Sequence, residues 1–477
     1  MPTQIDAAAV DQFLSRELTA ASIPGAAVAI TLGDQVLHVR GYGHDSHHVP
    51  VTDRTLFRVA SLSKSFTSLA ELQLVDAGRV SLDDSVAEHL PEFRPADPRG
   101  ADITVRQLLD QTSGLADREV HELNRRQPAT LAEATISLNS ARLVAAPGRR
   151  FNYHNPNYHV AARLVEVVSG ETFENYLRTH VFGPAGMPAS TTTNTDDQPV
   201  AGLADGHVIA YGQPVAIPAP NTFGAGSGDV VSTAADMADW LIVHANGGRA
   251  ADGVRLVSEH SLRELHTASA PSGYALGWDT DGPADAPTRL VHSGNLLTYS
   301  AYQAVLPNSS YGLALLFNSG SALLLEQTAI FHGLLNIVEG TDSTPGGPRF
   351  YISTFDVLLG CLTLAVLVVA TRGVLTSRRL ASRHTTPSRV RTILRLIANV
   401  GVLALGVAFP KIAGHLVGGR DVSWLAAVYG WPALVAFVLA AMIASAVRLI
   451  ATVRQLTGSA EGRKPYRRAR HGRVPSP

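Results

Sequence analysis

Ser61-Leu62-Ser63-Lys64 puts a hydroxyl and a primary amine at a spacing that suits acyl transfer. Residues three apart share one face of a helix, so a helix here brings the Ser61 hydroxyl and the Lys64 amine to hydrogen-bonding distance. A serine hydroxyl is a weak nucleophile until a neighbouring base takes its proton. Lysine becomes that base where burial and nearby positive character favour its neutral form. Ser61 would also stand at the helix N-terminus, where backbone N–H groups and the dipole favour an oxyanion. Four residues recur by chance, and the plain alternative is Ser61 as a helix cap with Lys64 on a solvated face. Two features argue for chemistry. The chain has three lysines, Lys64, Lys411 and Lys464, and carries its other positive charge on arginine. Arginine cannot give up its proton at workable pH, so a single lysine in the front half marks a position that needs a base. The surrounding SLSKSFTSLAELQLV is apolar, rich in hydroxyls and poor in charge, which reads as a buried helix.

Two further groups of residues suit the same chemistry. Tyr153-His154-Asn155 offers a phenol to relay a proton and a carboxamide to hold a substrate carbonyl, both from one loop. The alternative is a turn with a half-buried tyrosine. His292-Ser293-Gly294 ends an apolar strand, and a strand ending in glycine lets a substrate backbone come close. The N–H of Asn295 would then be a second oxyanion donor beside that of Ser61; the alternative is a structural histidine. The run His44-Asp45-Ser46-His47-His48 reads as a turn without a second ligand set, so no metal is expected.

The elements that must position these residues follow from pattern. Residues 7–18 read as an amphipathic helix ended by Ile23-Pro24-Gly25. AAVAITL (26–32) and QVLHVRGYG (35–43) read as a hairpin turning at Gly33-Asp34. Residues 56–78 pass from a strand-like start into a long helix that stops at Gly78, and a helical, loop-rich middle runs to about Pro188. Strands return from Gly273 as YALGWDT, TRLVHSG, YSAYQAVLP and YGLALLFNS, and residues 325–340 read as a closing helix. Strands at both ends with helices between predict one sheet closed by the two termini.

The 477 residues are 45% hydrophobic and 17% charged, with net charge −1, but this average hides an asymmetry. After a Gly/Pro/Ser linker come three apolar blocks of spanning length, about Ile352–Thr371, Leu396–Val417 and Trp424–Val447. A re-entrant hairpin is the alternative for the second. Arginine crowds the loop 372–395 and the tail 448–473, so the positive-inside rule predicts a multi-pass membrane protein with both in the cytoplasm and the catalytic domain outside. The N-terminus has neither a basic start nor a continuous apolar run, so that topology expects an export signal upstream of residue 1; the alternatives are translocation driven by the first span and a cytoplasmic domain. The single cysteine, Cys361, excludes an intrachain disulfide, a cysteine metal site and a cysteine nucleophile. The front half has no basic stripe with interleaved aromatics, so nucleic acid is not an expected partner.

Taken together, LFRVASLSK (56–64), LLDQTSGL (108–115), Pro147-Gly148 through Tyr153-His154-Asn155, and His292-Ser293-Gly294 resemble, in order and spacing, the β-lactamase-related serine hydrolases. That family includes class C β-lactamases, penicillin-binding D-alanyl-D-alanine carboxypeptidases, D-aminopeptidases and esterases. The segment 226–240 also resembles the family's, and the likeness spans roughly residues 7–335. It implies an α/β (α+β) fold: an antiparallel sheet flanked by helices, with an inserted helical lobe. It implies Ser61 as the acylated nucleophile, Lys64 as its base and Tyr153 as the proton relay. Asn155 would orient substrate, and His292 would support Tyr153 or a substrate carboxylate. With Ser293, Gly294 and Asn295 these form the expected substrate-binding set, and no cofactor is implied.

The chain departs from the family at Gln111, where relatives often have His, and at Asn295-Leu296-Leu297-Thr298-Tyr299, where a Gly-rich turn is usual. His292 stands where many penicillin-recognising members have Lys. Histidine is mostly neutral near pH 7, so efficient β-lactam hydrolysis is not expected. The expected organisation is a hydrolase domain at 1–339, a linker at 340–349, about three membrane helices at 350–447 and a basic, disordered tail at 448–477. Expected partners are a small-molecule or peptide substrate and membrane lipid. The rival expectation is a non-catalytic, penicillin-binding-like sensor or scaffold at the membrane.

Overall fold

The computed structural model describes residues 5–117, 126–269, 273–320, 324–341, 351–380, 388–416 and 422–461. Its main sheet has six strands: β1 (Gly25–Leu32), β2 (Gln35–Gly43), β3 (Asp279–Asp281), β4 (Arg289–Asn295), β5 (Ser300–Leu306) and β6 (Tyr311–Phe317). Their order is β2-β1-β6-β5-β4-β3, antiparallel throughout. The central strands GAAVAITL, SAYQAVL and YGLALLF are covered on both faces, so they read as continuous apolar runs without alternation. Strand β2 lies at an edge, and its QVLHVRGYG mixes polar with apolar residues.

The period of two in β1 divides the core. Ala27 and Ala29 face a large core shared with the helical lobe. Ala26, Val28 and Ile30 face a second core with helix α1 (Ala7–Ala20) and the closing helix Leu325–Val338. The first and last elements of the unit therefore close the same face of the sheet. On the other face lie α2 (Ser63–Asp76), α3 (Pro156–Ser169) and α4 (Ala234–Ala245). The small side chains of β1 leave room for α4. Gly312 of β6 is needed for the same reason, since a Cβ there would lie 2.8 Å from Leu241 Cβ and 2.4 Å from Thr31 Oγ1.

The α/β architecture expected from the sequence is present, with corrections of detail. The expected strand YALGWDT is reduced to Asp279–Asp281. Tyr274 to Trp278 form a buried turn instead, with Gly277 at φ 87° against the backbone of Lys64 and Ser65. The second apolar block is one continuous helix, Arg389–Leu416, in line with the expected span and not the alternative hairpin. The third block is broken at Trp431: a short helix Trp424–Gly430 precedes Pro432–Glu461, which runs into the region expected to be a disordered tail. The linker expected at 340–349 falls mostly outside the described residues.

Contacts group Met1–Thr354 with Ala413–Pro432 as one compact unit, and Phe355–Ile412 with Ala433–Pro477 as another. Among the described residues, three helical stretches are long and apolar enough to cross a membrane: Phe355–Gly373, Val390–Leu416 and Pro432–Arg454.

Overpacking a filled core costs about 1–3 kcal/mol. Gly312→Ala, which places a methyl group between β1 and α4, is expected to lower stability by about that amount. Thermal unfolding of the detergent-solubilised chain measures it.

Candidate active site

Ser61 lies in a single 3₁₀ turn, Ala60–Leu62, that leads directly into α2. Ala60 takes φ 52°, a left-handed conformation that costs a non-glycine residue energy and persists only where its surroundings hold it. The constraints are visible. Ser63 Oγ donates to the Ala60 carbonyl at 2.6 Å, and Val59 N–H donates to Val230 O at 2.9 Å. Helix α2 is buried over almost its whole length, which explains its hydroxyls. Ser65 Oγ donates to Leu62 O and Thr67 Oγ1 to Gly226 O, both at 2.7 Å, and Ser63 Oγ also accepts from Val230 N–H. A hydroxyl that bonds locally or across to a neighbouring loop can be buried where a charge cannot.

Lys64 has no exposure at all. Its Nζ lies 3.2 Å from Ser61 Oγ, 3.0 Å from Asn155 Oδ1 and 2.7 Å from the Ser227 carbonyl oxygen. It also sits 4.9 Å from the centre of the Tyr153 ring and 5.6 Å from that of Tyr158. The structure therefore brings Ser61, Lys64, Tyr153 and Asn155 together, from segments about ninety residues apart in sequence.

The LLDQTSGL segment anchors the Tyr153–Asn155 loop. Gln111, at φ 63°, accepts on Oε1 from His154 N–H at 3.1 Å and from Asn157 Nδ2 at 2.7 Å. Its carbonyl accepts from Asn152 N–H at 2.9 Å. Ser113 Oγ donates to Asn157 Oδ1, and the buried His154 ring meets Asp117 at 2.8 Å. Pro156 begins α3 immediately after Asn155. Proline suits the first helical position because its missing N–H would have no partner there.

Strand β4 forms the opposite wall. His292 and Gly294 are buried, whereas Ser293 and Asn295 alternate with them and are exposed. The glycine serves a purpose other than the one expected. A Cβ on Gly294 would lie 2.7 Å from Val59 O, 2.8 Å from Ala60 Cβ and 3.0 Å from Ser61 N, so it admits the turn that carries Ser61 rather than a substrate backbone. Leu296 N–H bonds Tyr299 O, and Asn295 pairs with Ser300 in the same register. In an antiparallel ladder the bonded pairs alternate, so the Asn295 N–H is directed away from β5.

His292 also differs from expectation. Its Nε2 meets the Tyr274 hydroxyl at 2.9 Å and its Nδ1 the Ser293 carbonyl oxygen at 2.8 Å. Since that carbonyl can only accept, Nδ1 carries the proton and Nε2 accepts from Tyr274. The ring thus supports Tyr274, not Tyr153, whose ring centre is 6.2 Å away, and neither nitrogen is left to bind a carboxylate. Burial and the nearby Lys64 charge push His292 down to about 3, so it is neutral at any working pH. Burial raises the Tyr274 phenol well above its usual range, which keeps it a donor.

Three contributors were not anticipated. The Ser227 carbonyl could not be found as a site atom, because any residue supplies one. Tyr158 donates to Leu109 O at 2.6 Å and lines the amine's enclosure. Tyr274 packs edge-on to Tyr153 with ring centres 6.2 Å apart. Its only sequence signal is the YALGWDT stretch, which reads as a strand.

Among the described residues no group of three or more His, Cys, Asp or Glu could hold a metal ion. His44 to His48 form a turn in which Asp45 Oδ1 accepts from the N–H groups of His47 and Val49. Arg40, His44, His48 and His207 line a cleft of about 810 Å³ that does not include Ser61.

The Beta-lactamase family profile matches residues 10–330. "Protein flp" of Staphylococcus aureus strain MW2 is 28% identical over 320 residues, 65% of this chain and 63% of that protein. The chain therefore spans less than two thirds of that relative's length. "Penicillin-binding protein 4" of Amycolatopsis lactamdurans is 30% identical over 67% of this chain and 86% of its own. A penicillin-binding protein homologue from Pyrococcus abyssi has a similar fold, with TM-score 0.60 and 24% identity over 72% of this chain and 80% of the other.

Two outcomes follow from the geometry. Gly294→Ala displaces the Ser61 turn. Misplacing a reacting atom by about 1 Å costs about 10²-fold. Fluorophosphonate labelling of Ser61 is expected to slow by about that factor with circular dichroism unchanged. The His292 imidazole, whose folded value of about 3 lies below its unfolded value of about 6.5, binds fewer protons folded than unfolded between these limits. It therefore subtracts stability as pH falls from about 6.5 toward 3 and subtracts none above that window. Its NMR signals are expected to stay in the neutral position from pH 8 to pH 5.

Proposed function

We propose, from the premise that the chain belongs to the Beta-lactamase family, that it is a membrane-anchored serine hydrolase working through an acyl-enzyme on Ser61. The observation that carries this reading is the enclosed Lys64 Nζ, 3.2 Å from Ser61 Oγ. Asn155 Oδ1 and the Ser227 carbonyl can only accept, so each takes a hydrogen from Nζ. The remaining position on nitrogen points at Ser61. A neutral amine held in this way turns its lone pair to the hydroxyl and receives the proton as Ser61 attacks.

In the acylation step Ser61 Oγ forms a bond to the substrate carbonyl carbon, and its proton passes to Lys64. The N–H groups of Ser61 and Asn295 hold the oxyanion. The Tyr153 phenol, beside Lys64, carries the proton on to the leaving group, whose bond to the carbonyl carbon then breaks. Water enters by the reverse proton path and releases the acid. Candidate substrates, in falling order, are D-amino-acid peptides, small esters or amides, and β-lactams. The three apolar helices would tether the domain, with the Arg-rich loop and tail in the cytoplasm and the catalytic domain outside.

A fluorophosphonate is expected to modify the wild-type chain and spare Ser61→Ala. Positioned general bases contribute about 10²–10⁴-fold, and Lys64→Arg keeps the charge but cannot accept a proton. Turnover of an activated ester is expected to fall by about that factor in Lys64→Arg, and full turnover there would show that the amine is not the base. Binding without any turnover by the wild type would favour a sensor.

A further inference from the structure

The strands Gly206–Ala210 and Gln213–Ile217 form a hairpin outside the main sheet, and the second of them is the edge of its own three-stranded sheet. The inner strand is fixed to the domain. His207 N–H bonds Asn318 O at 2.9 Å, and a Cβ on Gly206 would lie 2.2 Å from Thr298 O. The outer strand is open on both faces: Gln213, Pro214, Val215 and Ala216 are exposed and Ile217 is half-buried. A strand with one face in water commonly alternates polar with apolar residues, and an exposed edge commonly carries charge. This strand does neither. From Gly206 to Gly228 the chain has no Asp, Glu, Lys or Arg, although 17% of all its residues are charged.

The end of this strand is tied to residues that lead into an apolar helix. A chain that crosses a membrane three times is back on its starting side after the second crossing. With Phe355–Gly373, Val390–Leu416 and Pro432–Arg454 as the spans, the residues between the second and third lie on the same side as the domain that precedes the first. They hold two of the chain's four tryptophans, Trp424 and Trp431, with Tyr429 between them. Tryptophan and tyrosine favour the level of the lipid headgroups. The Tyr429 hydroxyl donates to the Pro218 carbonyl, one residue beyond the outer strand, at 2.9 Å. Both residues belong to one compact unit, and the third apolar stretch begins at Pro432, directly after Trp431.

We propose that the Gln213–Ile217 edge strand is a lipid-contact surface, seated in the headgroup and upper acyl region of the membrane. The proposal rests on the three-span membrane reading. Tyr429 holds Pro218 at headgroup level, so the apolar strand that ends beside Pro218 has lipid within reach. No charge has to lose its water as the strand enters, and its apolar side chains leave water in doing so. Lipid also covers an edge that would otherwise be open to pairing with another strand.

The test places one fluorophore at a time on the full chain in phosphatidylcholine vesicles. Cys361, the single cysteine, is replaced by Ser, and Val215→Cys, Val254→Cys or Leu364→Cys then carries the environment-sensitive dye NBD. Val254 is 45% exposed and Val215 46%, but Val254 stands between Asp252 and Arg255; Leu364 lies within the first apolar stretch. A lipid nitroxide near the top of the acyl chain is expected to quench the Val215 label about threefold more than the Val254 label, as for a surface seated in the interface, and iodide in the buffer is expected to do the reverse. Equal quenching of the two labels overturns the proposal. So does a Val215 label that lipid leaves unquenched and that self-quenches as protein is concentrated in the vesicles, which identifies a second copy of the chain as the strand's partner. A nitroxide deep in the acyl chain is expected to quench the Leu364 label. If it does, failure at Val215 is failure of the lipid-contact surface alone; if it does not, the membrane reading falls and the proposal with it.

Discussion

A primary amine with no access to water must find its partners inside the protein, and most of the unit that carries the sheet can be understood as supplying them to Lys64. One partner, Ser61, comes from the turn just before the amine's own helix. The second, Asn155, comes from a loop pinned by Gln111 and capped by Pro156. The third, the Ser227 carbonyl, comes from a glycine-rich loop tied to the same helix through Thr67. These segments are joined only by tertiary structure, so the enclosure exists only when the sheet, the lobe and the closing strands are all in place. Leaving such an amine with one acceptor missing would cost far more than an ordinary hydrogen bond contributes.

Two residues are strained where these segments meet. Ala60 and Gln111 both adopt positive φ without being glycine. Each is held by several bonds to neighbouring segments, so the strain is local and over-determined. Where glycines occur at this junction they relieve crowding: Gly294 lets β4 touch the Ser61 turn, and Gly277 lets the Tyr274 turn touch the backbone of Lys64. Rules of local propensity are broken at this junction, as is usual for functional sites.

Neutrality is the second theme. Beside the one enclosed amine, the site is lined by phenols and by an imidazole held in one uncharged tautomer. A proton on His292 would put a positive charge into this lining, beside Lys64. Burial of His292 and its bond from Tyr274 guard against that.

The hairpin 26–43, the strands after residue 289, the buried helix bearing Lys64 and the closing helix were all legible in the sequence, because hydrophobic period and turn residues are local properties of the chain. Ser61 with Lys64 was legible too, since one helical turn sets their distance whatever surrounds them. The role of Gly294, the partner of His292, the Ser227 carbonyl, and the placement of Tyr158 and Tyr274 were not. A carbonyl has no signature in a sequence, and a histidine's tautomer depends on which donor folding brings to it. The break at Trp431 and the helix continuing to Glu461 were likewise missed, because composition shows how apolar a segment is and not where its backbone bonds end. Local pattern determined the elements and the Ser61–Lys64 spacing. Only tertiary contact decided which groups complete the site, because their partners lie far away along the chain.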